Sequence, residues 1–74
     1  MISRGTREFW ALYHALPSAV RSQARAAFLV FIDNPDHPSL RFKKLHGPYE
    51  FWSVRFGSGY RAVCRWDGEN VVWL

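Results

Sequence analysis

The stretch FWSVRFGSGYRAVCRW, residues 51–66, decides how this chain folds, because it places two apolar runs on either side of Gly57, Ser58 and Gly59. We predict a hairpin in which these three residues form the loop and Gly59 takes the left-handed conformation. Apolar residues then lie opposite one another on a single face, in the pairs Phe56 with Tyr60, Val54 with Ala62 and Trp52 with Cys64. A two-residue loop would mix polar and apolar side chains on both faces, which a half-buried sheet avoids.

The same register places Arg55 opposite Arg61 on the other face, and Arg65 opposite Phe51. Like charges in directly opposed positions destabilise a sheet by a few tenths to about 1 kcal/mol. Two interpretations stay open. Either the two guanidinium groups extend into solvent or pair with nearby acids, or a polyanion binds between them, since arginine forks suit phosphate. The acids available for pairing are Glu50, Asp67 and Glu69.

Two helices are predicted ahead of this hairpin. The first follows Ser3 or Thr6 as its N-cap and ends at Leu16 and Pro17, with its apolar residues at Phe9, Leu12, Tyr13 and Leu16. The second carries one apolar stripe, formed by Val20, Ala24, Ala27, Phe28 and Phe31. It stops at residues 33–35 because Asn34 precedes a proline. The short connection predicts an antiparallel helical hairpin.

From Leu40 the apolar period changes to two, which is typical of strands. We predict strands in LRFKKL (residues 40–45), in both arms of the hairpin and in NVVWL (residues 70–74), with Asp67 and Gly68 as a turn. The fold class is therefore α+β, with an N-terminal antiparallel helical hairpin packed on a small antiparallel β-sheet.

Length favours a single domain over residues 1–74, and the excess of positive charge makes nucleic-acid binding one candidate, although many small basic proteins bind none. The chain has a net charge of +4 and a pI of about 9.8, as many nucleic-acid-binding proteins do. The lone Cys64 fits a reducing, cytoplasmic location, where we expect it to be a small buried hydrophobe. The longest apolar run, residues 26–32, is far shorter than the roughly 20 residues that cross a bilayer, so no membrane partner is expected.

Further basic residues extend the positive surface. Arg41, Lys43 and Lys44 belong to the first predicted strand of the sheet. Arg21 and Arg25 share one exposed face of the second helix, because they are four residues apart. This helical pair is either solvated surface or a contact to a nucleic-acid backbone.

Other candidate chemistry finds little support in the sequence. The three histidines, His14, His37 and His46, do not have the spacing of metal ligands, so neither a metal nor a cofactor is expected. His46 is either ordinary surface or the rim of the basic face. Because side chains alternate between the two faces of a strand, four aromatic residues are assigned to the packed face, where core packing is favoured over base stacking. They are Trp52, Phe56, Trp66 and Trp73.

The runs NPDHPSLRFKKLHG, FWSVRFGSGYRAV and DGENVVWL, with the helical segment ahead of them, resemble the RelE/ParE superfamily of toxins from bacterial toxin–antitoxin systems, including its HigB-like members. The resemblance covers nearly the whole chain. It implies a toxin that is neutralised by a cognate antitoxin. It also implies a ribosome-dependent mRNA endonuclease that inhibits translation or, as in the ParE branch, a non-catalytic inhibitor of DNA gyrase.

In RNA-cleaving members of this superfamily the ribose 2′-OH attacks the adjacent phosphate without a metal. The resemblance assigns the catalytic positions to Lys43, Lys44 and Arg55. It makes Arg61 a further phosphate contact, and the RNA-binding surface that we predict comprises Arg21, Arg25, Arg41, Arg61 and Arg65.

Relatives usually continue past the last strand with a tail that carries an Arg or His and a Tyr, whereas this sequence ends at Leu74. We therefore expect the domain to lack that tail, and an inactive form that only binds its antitoxin is a third interpretation. With little sequence before Thr6 to form an opening strand, Trp73 and Leu74 are expected to form a frayed, hydrophobic sheet edge.

Overall fold

The computed structural model describes residues 1–74 as a five-stranded sheet with two helices on one face, the expected α+β fold. The elements are β1 (Ile2–Gly5), α1 (Arg7–Ala15), α2 (Ser18–Asp33), a 3-10 turn (Pro38–Leu40), β2 (Lys43–Lys44), β3 (Phe51–Phe56), β4 (Tyr60–Trp66) and β5 (Asn70–Trp73). The strand order is β1-β5-β4-β3-β2. Strands β2 to β5 pair antiparallel, and β1 is parallel to β5. Neither helix is long and apolar enough to cross a membrane.

The β3–β4 hairpin has the predicted register. Arg55 lies opposite Arg61, and the three apolar pairs align as expected, Phe56 with Tyr60, Val54 with Ala62 and Trp52 with Cys64. The prediction for the loop was wrong in one respect, because the left-handed residue is Gly57, with φ of 60°, and not Gly59. A Cβ at Gly57 would also lie 2.6 Å from Oε1 of Gln23, so the flexible end of this α2 side chain would have to move aside.

The core lies between the helices and the apolar face of the hairpin. Its six buried residues are Phe31, Leu40, Val54, Cys64, Val71 and Trp73. Burial raises the pKa of the Cys64 thiol from 9.0 to about 12, so the sulfur stays protonated near neutral pH. Because alternate residues of a strand face opposite sides, burying Val54 and Cys64 places Arg55 and Arg65 on the opposite face of the sheet.

The two helices begin and end close to the predicted residues. The Thr6 hydroxyl caps α1 by accepting a hydrogen bond of 3.0 Å from the backbone N–H of Phe9. Phe31 is fully buried in the predicted stripe of α2, while Leu12 of α1 was wrongly assigned to the packed side and is 67% exposed. The reason is that α1 lies beside β1 near the edge of the sheet and buries none of its residues completely.

The expectation of a frayed edge at Trp73 was wrong, because residues 2–5 form β1 and cover β5. Trp73 is only 7% exposed. Its indole Nε1 donates a hydrogen bond of 3.0 Å to the hydroxyl of Ser3. This short, polar strand has no alternating pattern of its own, and it is held by pairing with a distant part of the chain. The sheet is accordingly mixed, with one parallel edge added to the predicted antiparallel strands.

The predicted strand over residues 40–45 is reduced to Lys43–Lys44, and its first residue, Leu40, belongs to the 3-10 turn Pro38–Leu40. Pro38 occupies the first turn, and Nδ1 of His37 accepts a hydrogen bond of 3.2 Å from the backbone N–H of Ser39. Leu40 is buried from this turn, and Arg41 follows it with a left-handed backbone at φ of 45°. Local turn hydrogen bonds therefore override the strand pattern, and only Lys43–Lys44 pairs with β3.

Arg21 does not form the free surface pair with Arg25 that the spacing predicted. Its Nη1 donates to the backbone carbonyl oxygens of Leu16, at 2.5 Å, and His14, at 3.4 Å. These carbonyls lie at the end of α1, where a cation complements the helix dipole. Arg21 therefore joins the two helices and is half-buried, while Arg25 is exposed.

We predict that Gly57→Ala lowers the free energy of unfolding by about 1–2 kcal/mol, because alanine resists the left-handed conformation and meets Gln23. Gly59→Ala is the matched control. Gly59 has open space around it and no positive φ, so its replacement is expected to change stability by less than about 0.5 kcal/mol. Urea unfolding measures both, and a larger loss at Gly59 would contradict this loop conformation.

Arg21→Ala is expected to lower the free energy of unfolding by about 1 kcal/mol, because the last carbonyls of α1 lose a charged donor. For a domain of this size, that loss corresponds to a fall in Tm of about 4–8 °C in a circular dichroism melt. Arg25→Ala removes the same charge from an exposed position and should leave Tm nearly unchanged. Equal shifts in the two variants would show that Arg21 does not cap α1.

Candidate nucleic-acid interface

Three arginines from separate segments line one open cavity at the loop end of the hairpin. The cavity has a volume of about 260 Å³. We call it the arginine cavity, and its lining residues are Arg41, Arg55, Ser58, Gly59, Tyr60 and Arg61. Arg41 follows the 3-10 turn, Arg55 belongs to β3 and Arg61 to β4. The two opposed arginines of the hairpin thus share a single space that helices do not cover, as the register predicted.

No acid neutralises this arginine pair. The single ion pair in the structure joins Lys44 to Glu50 at 3.1 Å, so the interpretation in which nearby acids compensate Arg55 and Arg61 is wrong. Arg61 instead donates from Nη1 to the hydroxyl of Ser53, at 3.2 Å. Ser53 is a polar side chain only 2% exposed, and this bond holds one guanidinium along the sheet. The positive charge of the cavity therefore remains available to an anion.

Arg41 reaches the cavity through an unusual backbone conformation. It is the only residue other than glycine with positive φ. A left-handed backbone costs an L-residue roughly 1–2 kcal/mol, and such strain tends to occur at functional sites. The conformation ends the 3-10 turn and brings a third guanidinium beside the hairpin pair. Arg41 was predicted to belong to the basic surface as part of a strand, but residue 41 lies outside β2 and follows the 3-10 turn.

The two adjacent lysines lie on opposite faces of the sheet. Lys43 is opposite Ser53, on the face that carries the arginine pair. Lys44 is opposite Trp52, whose ring packs against the core, and its ammonium group contacts Glu50. The prediction that both lysines share the arginine face is therefore wrong for Lys44, because successive strand residues alternate. Only Lys43 lies in the row of residues next to Arg55 and Arg61.

Tyr60 is a site residue that sequence analysis missed. Parity assigned it to the packed face with Phe56, and the two rings do stack, with centroids 5.5 Å apart. Helix α2 borders Phe56 and Gly57 but leaves Tyr60 37% exposed, and Tyr60 lines the arginine cavity. Its phenol brings a hydroxyl group that can donate and accept hydrogen bonds, together with a flat ring at the rim. The sequence feature that could have predicted this role is the position of Tyr60, an aromatic residue directly after the glycine-rich loop of residues 57–59.

The remaining predicted contacts lie away from this cavity. Arg65 is exposed on the same face as Arg61, but four residues along β4 separate the two by about 13 Å. Arg25 is exposed on α2, and Arg21 is committed to the end of α1. No group of three or more His, Cys, Asp or Glu side chains is placed to hold a metal ion. The structure thus concentrates the candidate site at Arg41, Arg55 and Arg61.

Comparison with known proteins adds a family to this geometry. Residues 18–74, which include α2 and strands β2 to β5, match the ParE-like toxin domain. No curated protein and no solved structure matches the chain. The matched segment covers more than half of the sequence and contains all three arginines of the cavity. The chain therefore belongs to the ParE-like toxin family, and it is a toxin of a toxin–antitoxin system with an antitoxin as its implied partner.

Proposed function

We propose that this toxin inhibits translation by cutting mRNA on the ribosome, with the arginine cavity holding the phosphate at the point of cleavage. One observation carries the proposal: three arginines from three segments surround one open cavity, and none of them is paired with an acid. Guanidinium groups bind phosphate oxygens with two parallel hydrogen bonds, so such a cavity suits an RNA backbone.

The proposed reaction transfers a phosphoryl group within the RNA. The 2′ oxygen of a ribose loses its proton and forms a bond to the adjacent phosphorus. The bond from phosphorus to the 5′ oxygen of the next nucleotide breaks, which leaves a 2′,3′-cyclic phosphate and a 5′-hydroxyl. Additional negative charge develops on the phosphate oxygens during the transfer, and fixed cations stabilise it.

Each side chain has a proposed role. Arg55 and Arg61 contact the phosphate oxygens from the two arms of the hairpin, and Arg41 approaches from the 3-10 turn. Lys43 extends the same face toward the next phosphate. Tyr60 lines the cavity, and its phenol donates a proton to the departing 5′ oxygen. The proton of the 2′-OH passes to water, and water then returns a proton to the phenolate of Tyr60. Lys44, which lies on the other face, is left out of the proposed site.

Arg55→Ala and Arg61→Ala are each expected to reduce mRNA cleavage about 100-fold or more, by analogy with the loss of one fixed donor from a charged transition state. The assay adds purified toxin to translating ribosomes and maps the new 5′ ends of the message. Arg7→Ala, an exposed arginine in α1, is the matched control and should cleave like the wild type. Intact message with a folded wild-type protein would refute the cleavage proposal.

Inhibition of DNA gyrase is the second candidate, and two observations favour it. The matched family is the ParE-like one, and Lys44, which RNA cleavage by the resembling enzymes would use, lies on the other face. In this case the arginine cavity binds a polyanionic surface without chemistry. Wild-type toxin should then block plasmid supercoiling by purified gyrase while leaving mRNA intact. Unimpaired supercoiling at saturating toxin would exclude this candidate.

A further inference from the structure

A second cavity adjoins the arginine cavity on the other side of Arg55. Its volume is about 370 Å³, and it lies between the middle of α2, the 3-10 turn and the end of β3. We call it the apolar cavity after its three apolar lining residues, Ala27, Leu40 and Phe56, and the other three lining residues are Ser39, Arg55 and Gly57. Arg55 is the residue that both cavities share.

The wall between the two cavities is aromatic as well as cationic. Phe56 lines the apolar cavity and Tyr60 lines the arginine cavity, and their rings stack with an interplanar angle of 22°. A ligand that crosses Arg55 therefore meets three guanidinium groups on one side. On the other side it meets the ring of Phe56, two aliphatic side chains and one hydroxyl, that of Ser39.

We propose that the apolar cavity binds a single unstacked nucleobase of the RNA strand whose phosphate occupies the arginine cavity. This inference rests on the proposed function, because the base belongs to the same RNA strand as the phosphate that the arginine cavity is proposed to hold. A base has apolar faces and a polar edge, which match the three apolar lining residues and the Ser39 hydroxyl. This hydroxyl lies 2.8 Å from Nδ1 of His37, and its oxygen can still accept a hydrogen bond from the base. The phosphate next to that base is negatively charged, and Arg55 can bind it at the boundary between the two cavities.

The proposal predicts selectivity for single strands. A base in a duplex is stacked and paired, so it enters a side pocket only after leaving the helix, which costs a few kcal/mol. Single-stranded RNA presents its bases without that cost, and base stacking on protein groups is tolerant of sequence. The site is therefore expected to take any single-stranded nucleotide of suitable size and to discriminate against duplexes.

The test uses NMR titration of the purified chain with two probes that cannot be cleaved. One is a deoxydinucleotide with two adenine bases, and the other is the same sugar–phosphate with both bases removed. Wild-type protein is expected to bind the intact probe about tenfold or more tightly than the abasic probe. Inorganic phosphate, titrated separately, reports on the arginine cavity alone.

Ser39→Phe fills the apolar cavity from an exposed position and is expected to remove the preference for the intact probe without changing phosphate affinity. Ala27→Leu is a second filling variant from the α2 side, in case the first one unfolds. Ser22→Phe is the matched control, because Ser22 is exposed on α2 and lines neither cavity, and it should keep the full preference.

The outcomes separate this inference from the proposed function. Equal affinity of wild type for the intact and abasic probes, or an unchanged preference in both filling variants, would overturn the base pocket and leave the arginine cavity intact. Failure of phosphate and both probes to bind would remove the arginine cavity as a phosphate site, and both proposals with it. Base-dependent binding without mRNA cleavage would overturn the reaction and support the pocket.

Discussion

The register of the β3–β4 hairpin is the constraint on which the rest of the molecule depends. A loop of three residues aligns Val54 with Ala62 and places Arg55 opposite Arg61. Burying one large apolar side chain stabilises the fold by about 1.5–3 kcal/mol, whereas opposing like charges costs up to about 1 kcal/mol. The core therefore determines the pairing, and the juxtaposed arginines follow from it.

The protein accommodates the two opposed charges without neutralising them. Solvent reaches Arg61 and part of Arg55, and Ser53 holds the Arg61 guanidinium along the sheet. Arg41 adds a third positive charge to the same cavity from a left-handed backbone, which is a further local cost. A small domain has little stability to lose, and the proposal of an anionic ligand starts from an arrangement that accepts both costs.

The hairpin and the two helices could be predicted because their signals are local. Thr6 caps α1 through a residue three positions away, and the stripe of α2 repeats over neighbouring turns. The strand over residues 40–45 failed because Pro38 and His37 support a turn that competes with the alternating pattern. Lys44 was assigned to the arginine face in error because successive residues of β2 alternate between the two faces. Tyr60 was missed because the alternation of side chains along a strand predicts which face a residue lies on, but not how much of that face the helices cover.

The sequence by itself determined the pairing within the hairpin, the limits of the helices, the family and the excess of positive charge, since each depends on residue types and short spacings. Only the tertiary structure decided that residues 2–5 form β1, because its bond from Trp73 to Ser3 joins positions 70 residues apart. It also decided that Arg41 joins the hairpin arginines and that a second cavity opens beside them. Such features arise where separate segments meet, and no local pattern specifies the distance between them.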